Sequence, residues 1–259
     1  MHENEIAVIV DIDGTSLGTE QIRKGTFIEC LSNMHKDRES IDRIYESTVG
    51  TNSDYLHRIL QEEWHEFESK DLFDAFRAQR KNLFKEKTKD GIPVMPGVIE
   101  SFEFFRNNGI PLGAYTSTDR TETTENLSKA VYNERRYNLL DYINECHITT
   151  GDEVLEGKPS PEGYLKTAKK MGIQQFGNVI GFDDSPHGIL SLLKAGMIPI
   201  WIPDLIKPKP GTMVGNLAII SNGNENVTVR VCGTMKDAIP FIESIINRCK
   251  GPNAVRAEH

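Results

Sequence analysis

Residues 6–15 read Ile6-Ala7-Val8-Ile9-Val10-Asp11-Ile12-Asp13-Gly14-Thr15. An unbroken apolar run, mostly β-branched, leads straight into two carboxylates spaced two apart. A half-buried strand alternates polar and apolar residues. A run without alternation reads as a central strand buried on both faces of a parallel sheet. Similar runs recur at 110–115 (IPLGAY), 146–149 (CHIT), 178–182 (NVIGF) and 198–202 (IPIWI). Helical stretches lie between them at 97–107, 161–171 and 188–195. Gly109, Gly172 and Gly196 fall just past these stretches, where a left-handed C-cap favours glycine. The alternation predicts an α/β fold built on a doubly wound parallel sheet.

Residues 19–90 break the alternation. They hold no strand-like run and predict four helices at about 19–33, 38–49, 53–65 and 70–87, an α-helical cap inserted after the first strand. Residues 91–97 (GIPVMPG) form the return hinge. The expected organisation is a core domain of residues 1–18 and 91–249, a cap domain of 19–90 and a flexible tail of 250–259. Residues 217–220 and 227–231 predict a hairpin around the turn-rich 221–226 (SNGNEN).

The 259 residues are 38% hydrophobic and 26% charged, ordinary globular usage that excludes disorder and fibrous repeats. Thirty Lys+Arg against 38 Asp+Glu leave a net charge of −8, which disfavours a broad nucleic-acid surface. One local cationic pocket for a small phosphorylated metabolite remains compatible with that balance. Cys30, Cys146, Cys232 and Cys249 are widely separated and fit neither a disulfide framework nor a zinc site. No apolar run approaches a membrane span, and the run after the polar first five residues is too short for a signal peptide. A reduced, cytoplasmic monomer or homodimer without membrane or nucleic-acid partners is the expectation.

Four features fall at the C-terminal ends of predicted strands, where open parallel sheets bind ligands. Asp11 and Asp13 point the same way in extended chain. Two carboxylates there suit Mg2+, a hard cation that takes oxygen ligands; the plain alternative is a solvated acidic turn. Thr116-Ser117-Thr118 closes the run 110–115 with hydroxyls and N–H groups suited to phosphate oxygens, or simply to capping a helix. Lys158, in Gly157-Lys158-Pro159-Ser160-Pro161, supplies a compact charge just before a helix, although most loop lysines are surface residues. Asp183-Asp184-Ser185-Pro186 follows 178–182, and paired acids at the end of an apolar strand need a cation or donors.

In their order and spacing these motifs resemble the haloacid dehalogenase superfamily. Its D-x-D-G-T, its strand-ending Thr/Ser, its lysine and its pair of acids match residues 11–15, Thr116, Lys158 and Asp183 with Asp184. The surrounding GKPSPEGYLKTAKKMG and NVIGFDDSPHGILSLLKAGM are similar to the branch holding β-phosphoglucomutase and small-molecule phosphatases, and the resemblance covers about residues 7–204. It implies that Asp11 attacks phosphorus to form an aspartyl-phosphate. Asp13 then acts as general acid and later as base. It also implies Mg2+ held by Asp11, the Asp13 main-chain carbonyl and Asp184, with Asp183 nearby or acting through water. Thr116, Ser117 and Lys158 would hold the transferring phosphoryl group. The implied function is Mg2+-dependent hydrolysis of a small phosphomonoester.

The chain departs from the branch at Gly18, where an acid is usual, and at Arg23 and Ser53, where β-phosphoglucomutase carries His and Arg. The last two favour hydrolysis over a phosphomutase reaction. A regulatory or partner-binding protein on this scaffold is a further alternative, motivated by Ser16, Gly18 and the hairpin and opposed by the complete motif set. In the cap, Arg23, His57, Arg58, Arg80 and Lys81 are candidates to reach the core site. The simpler expectation for each is structural, with Arg58, Arg80 and Lys81 on solvated helix faces. Tyr55, Trp64, Phe67, Phe73, Phe76 and Phe84 are expected to pack the cap's own interior.

Overall fold

The computed structural model describes residues 6–209, 211–221 and 226–250. Its elements run β1 (Ala7–Val10), α1 (Glu20–Asn33), α2 (Arg38–Thr48), α3 (Ser53–Glu63), α4 (Lys70–Lys87), β2 (Ile92–Pro93) and α5 (Val98–Asn107). Then come β3 (Leu112–Tyr115), α6 (Arg120–Ser128), β4 (Ala130–Tyr132), β5 (Arg135–Tyr137), β6 (Ile148–Thr149), α7 (Glu162–Lys170), β7 (Val179–Asp183) and α8 (Pro186–Lys194). The chain continues through β8 (Ile198–Trp201), β9 (Met213–Val214), β10 (Leu217–Ser221), β11 (Asn226–Val231) and α9 (Ile239–Lys250).

The main sheet has the order β6-β3-β1-β7-β8-β11-β10-β9. β1 is central, with Val10 opposite Ala114 on one side and Phe182 on the other, both neighbours parallel. Its side chains alternate between two cores. Val8 and Val10 join Phe102, Phe105 and Phe182, whereas Ala7 and Ile9 join Tyr164, Ile189 and Leu192. Burial on both faces explains why the run tolerates no polar residue, each such side chain contributing about 1.5–3 kcal/mol. The doubly wound α/β reading therefore holds, with one difference. The hairpin of β10 and β11 is present, and β11 pairs in parallel with β8, so it extends the main sheet and makes it mixed.

Helices α1–α4 pack on a cluster of their own that includes Phe27, Leu31, Ile41, Leu60, Phe67 and Phe76. Asp37, Asn52 and Ser69 cap α2, α3 and α4 by accepting from backbone N–H groups. Two of the aromatics lie elsewhere than expected. Phe84 joins the main core cluster, and Tyr55 stands edge-on to His187 at the start of α8, with ring centroids 5.8 Å apart. Helix α6 and the small sheet β2-β4-β5 go beyond the strand-helix pattern read from sequence. Helix α6, RTETTENLS, carries no apolar stripe that would announce it. Part of the expected turn, residues 222–225, and residues 251–259 of the expected tail lie outside the described residues, while Lys250 ends α9.

Phe182 is fully buried beside the strand end that carries the acids. Phe182→Ala is expected to cost about 3–5 kcal/mol, read as a lower denaturant midpoint with an unchanged m-value.

Candidate active site

Three parallel strands end side by side and deliver the reactive groups. β1 runs into Asp11 and Asp13, β3 into Thr116, and β7 into Asp183 and Asp184. Gly14 turns the chain away at φ +83°, and a Cβ there would lie 2.5 Å from Asp184 Oδ2, so only glycine lets the two strand ends close up. The turn is pinned by Gly14 N–H to the Leu17 carbonyl (2.9 Å) and Gly18 N–H to the Pro93 carbonyl (2.7 Å). No acid at position 18 is needed to order it.

Lys158 reaches the strand ends from the loop before α7. Its ammonium donates to Asp11 Oδ1 (2.5 Å) and Asp183 Oδ2 (2.7 Å) and is almost wholly buried. Burial alone would lower the lysine, but Asp11 and Asp183 outweigh it and hold it well above its ordinary value. Asp183 is saturated, since Oδ2 also accepts from Tyr164 Oη (2.5 Å) and Oδ1 accepts the Ser185 N–H (2.9 Å) and Oγ–H (2.8 Å). A Cβ on Gly188 would lie 1.8 Å from the Asp183 carboxylate, so that glycine lets α8 begin against it.

Asp184 is different. Oδ1 accepts from Thr15 Oγ1 (3.0 Å), but Oδ2 is buried and has no partner. Burial, with Asp11 and Asp183 close by, pushes Asp184 well above the carboxylate range, and burial does the same to Asp11. Oxygens of Asp11, Asp183 and Asp184 lie within 4.8 Å of one another, a spacing and donor set that fit a hard divalent cation. The orphaned Asp184 oxygen is the observation that most directly calls for one.

The Asp13 carboxylate is outside that group and is held by a ring of donors. Oδ1 accepts from Thr19 Oγ1 (2.7 Å) and from Arg23 Nε (3.1 Å) and Nη2 (3.0 Å). Oδ2 accepts from Thr116 Oγ1 (2.9 Å) and Thr118 Oγ1 (2.8 Å). Burial works against its charge, but Arg23 and the three hydroxyls prevail and hold Asp13 below its usual value. Thr116 thus faces Asp13, and Ser117 Oγ donates to the Gly50 carbonyl in the loop between α2 and α3 (2.9 Å).

These groups floor a cleft of about 630 Å³ whose other wall is α1, α4 and the loop before α3. The structure brings every sequence-derived site residue to this region: Asp11, Asp13, Thr116, Ser117 and Lys158 line the cleft, with Asp183 and Asp184 against its floor. Of the cap candidates, Arg23, Arg80 and Lys81 line it, whereas Arg58 is exposed and His57 stacks on Phe73 at 3.9 Å. The solvated-face expectation thus holds for Arg58. It is corrected for Arg80, whose Nε is buried; Lys81 keeps a side chain 42% exposed while pairing with Asp119 (3.0 Å). Thr118, the last residue of the 116–118 run, bonds Asp13; the residues missed are Glu122 and Glu20. Glu122 completes the Arg23 pair at 2.8 Å. Glu20 is buried and bonded by Tyr45 Oη (2.8 Å), and burial together with the charge of Asp13 pushes it up to about 7. A lone acid in the first turn of a helix gives no signal that it will point inward.

Fold and site together are those of a doubly wound α/β enzyme with its reactive groups at the strand ends. The pattern that describes the haloacid dehalogenase-like hydrolases matches residues 7–196, and the chain belongs to that family. It is 29% identical over 211 residues to the phosphorylated carbohydrates phosphatase of Thermotoga maritima, covering 75% of this chain and 83% of that one. It is 26% identical over 201 residues to (DL)-glycerol-3-phosphatase 2 of Arabidopsis thaliana, covering 76% and 79%. A crystal structure of a HAD hydrolase, family IA, variant 3, from Entamoeba histolytica superposes with a TM-score of 0.70 at 22% identity, covering 93% of this chain and all of that one. Among the described residues no helix is long and apolar enough to cross a membrane, and Cys30, Cys146 and Cys232 are free thiols.

The loop leading to Lys158 is braced by Glu153, which pairs with Arg120 (2.5 Å) and Lys170 (2.9 Å). Burial opposes its charge, but the bonds from Lys170 and the Thr150 N–H and the Arg120 guanidinium bring it down from 4.5 to about 2. A depressed carboxylate stabilises the fold above its unfolded value and loses that contribution as pH falls towards its folded one. Glu153→Gln is therefore expected to be less stable than wild type at pH 7, with the gap closing as pH drops below about 4.5. Denaturant midpoints across that range check this; a gap independent of pH would contradict it.

Proposed function

We propose that the chain is a Mg2+-dependent phosphatase of small phosphomonoesters, with residues 1–18 and 91–249 as catalytic core and 19–90 as the cap over it. The observation that carries the reading is the convergence of Asp11, Asp13, Thr116 and Lys158 on the floor of one cleft, beside Asp184 with its unpartnered oxygen. The relatives' names, for phosphorylated carbohydrates and glycerol 3-phosphate, support a small hydroxylated substrate.

In this reading an Asp11 oxygen bonds to phosphorus as the ester P–O bond breaks, and Asp13 gives its proton to the leaving oxygen. Asp13 then takes a proton from water, the water oxygen bonds to phosphorus, and the P–O bond to Asp11 breaks to release phosphate. Lys158 fixes one Asp11 oxygen at 2.5 Å and so orients the nucleophile. Arg23 keeps Asp13 ionised, the form that second half requires, and its contact must loosen for Asp13 to carry a proton in the first. Lys158, and the Thr116 and Ser117 hydroxyls once they release the Asp13 carboxylate and the Gly50 carbonyl, offer donors to the phosphoryl oxygens. Mg2+ held by Asp11, Asp184 and the Asp13 main-chain carbonyl, with Asp183 behind, would supply neutralising charge for those oxygens. Arg23, tied to Asp13 and Glu122, favours hydrolysis over a phosphomutase reaction.

Hydrolysis of p-nitrophenyl phosphate and of a panel of phosphorylated metabolites is the test. Turnover is expected to require Mg2+ and to fall by about three orders of magnitude or more in Asp11→Asn. Turnover that survives chelation or the substitution, or silence across the panel, would refute the reading.

A further inference from the structure

The cations of the cleft are unequally provided for. Arg23 faces Asp13 and Glu122, Lys81 faces Asp119, Lys158 faces Asp11 and Asp183, and Arg77, though without an ion pair among the described residues, is exposed and so solvated. Arg80 projects from α4 into the same cleft and makes no ion pair or hydrogen bond among the described residues; its Nε is buried and unsatisfied. The guanidinium lies over Phe27 (5.0 Å) and Phe76 (5.5 Å), two buried rings. Glu20, on the same wall, is turned to the Tyr45 hydroxyl and forms no ion pair with Arg80. Burial disfavours the Arg80 charge and nearby Arg23 adds repulsion; Tyr45, Cys30 and Glu20 offset this only in part, and the charge stays disfavoured. A desolvated cation without an anion is costly, and a ligand that brings the anion removes that cost.

We propose that Arg80 is a substrate-specificity residue that binds a second anionic group, a carboxylate or a further phosphate, on the cap side of the cleft. This rests on the phosphatase reading: one phosphoryl group sits among Thr116, Ser117 and Lys158 while the far end of the molecule meets Arg80. A planar guanidinium offers the paired donors that either anion takes in a fork. A cleft of about 630 Å³ has room for a ligand that spans both ends. The substrate class is then a short phosphomonoester carrying an acidic terminus, narrower than the hydroxylated phosphates that the relatives' names suggest.

Three probes with one carbon skeleton separate the possibilities: n-propyl phosphate, 3-(phosphonooxy)propanoate and propane-1,3-diyl bisphosphate. The readout is the ratio of kcat/KM for each acidic probe to that for n-propyl phosphate. In wild type the ratio is expected to be about tenfold or more for the preferred anion, the worth of one charge-assisted hydrogen bond. In Arg80→Met, which keeps the packing over the rings, it falls to near one through KM, and Arg80→Lys restores part of it. The winning probe tells carboxylate from phosphate. A wild-type ratio near one, or a ratio unchanged in Arg80→Met, overturns the proposal. Should no probe be hydrolysed, the phosphatase reading fails instead. The subsite is then decided by calorimetric binding of the bisphosphate with Mg2+, which must weaken about tenfold in Arg80→Met and must not if Arg80 only packs. Melting curves confirm that both variants are folded.

Discussion

Lys158 lies buried between Asp11 and Asp183 and holds together strand ends that would otherwise repel. Three carboxylates from β1 and β7 sit within 4.8 Å of one another at the floor of the cleft. Each buried ion carries a desolvation penalty of about several kcal/mol, so such a cluster persists only with cations and donors placed against it. The lysine answers two of the acids, Tyr164 and Ser185 complete the bonding of Asp183, and Gly14 and Gly188 allow the backbone to come close enough. What is left over is a buried oxygen of Asp184 and the second oxygen of Asp11. The fold thus concentrates negative charge at a point it does not itself neutralise, and that deficit makes the site a place for a cation and a phosphate together.

The same reasoning divides the four acids by role. Asp183 is spent on protein donors and positions the lysine. Asp11 gives one oxygen to Lys158, and the other makes no hydrogen bond among the described residues. Asp13, two residues on, is enclosed by Arg23, Thr19, Thr116 and Thr118, an environment that favours its charged form. Neighbouring carboxylates with such different surroundings take on different chemical work. The cleft above them closes through specific contacts: Ser117 to the Gly50 carbonyl, Lys81 to Asp119, and Gly50 so near Ser185 that a Cβ would lie 2.3 Å from its Oγ.

Much of this was legible in the chain because the signals are local. An apolar strand followed by D-x-D-G-T marks both the centre of the sheet and the floor of the site, and glycines past helices mark their ends. Lys158 was recognisable only from its order among the motifs, since nothing about a loop lysine announces burial. The cap was legible as four helices but not as a wall. Whether Arg80 and Lys81 face solvent or the cleft depends on how α4 is rotated against α1, which tertiary packing decides. Arg23 closes on Asp13 and Glu122 across 10 and 99 residues of chain, a pairing that no spacing rule foretells. Phe84 was assigned to the cap by its neighbours in sequence, yet the last turns of α4 lie against the main core, and the ring packs there under the Arg23 guanidinium at 4.5 Å.

The proposed hydrolysis depends on a covalent bond between Asp11 and the phosphoryl group at the end of β1. Acid-quenching the enzyme during turnover with Mg2+ and a hydrolysed phosphate ester, followed by peptide mass spectrometry, tests it directly. One phosphoryl adduct is expected, on the peptide holding Asp11, labile to hydroxylamine as an acyl phosphate is and, with p-nitrophenyl phosphate, whose leaving group needs no proton, more abundant when Asp13 is replaced by Asn. A phosphoryl group on any other residue, or single-turnover hydrolysis that proceeds with no protein adduct at any time, would contradict it.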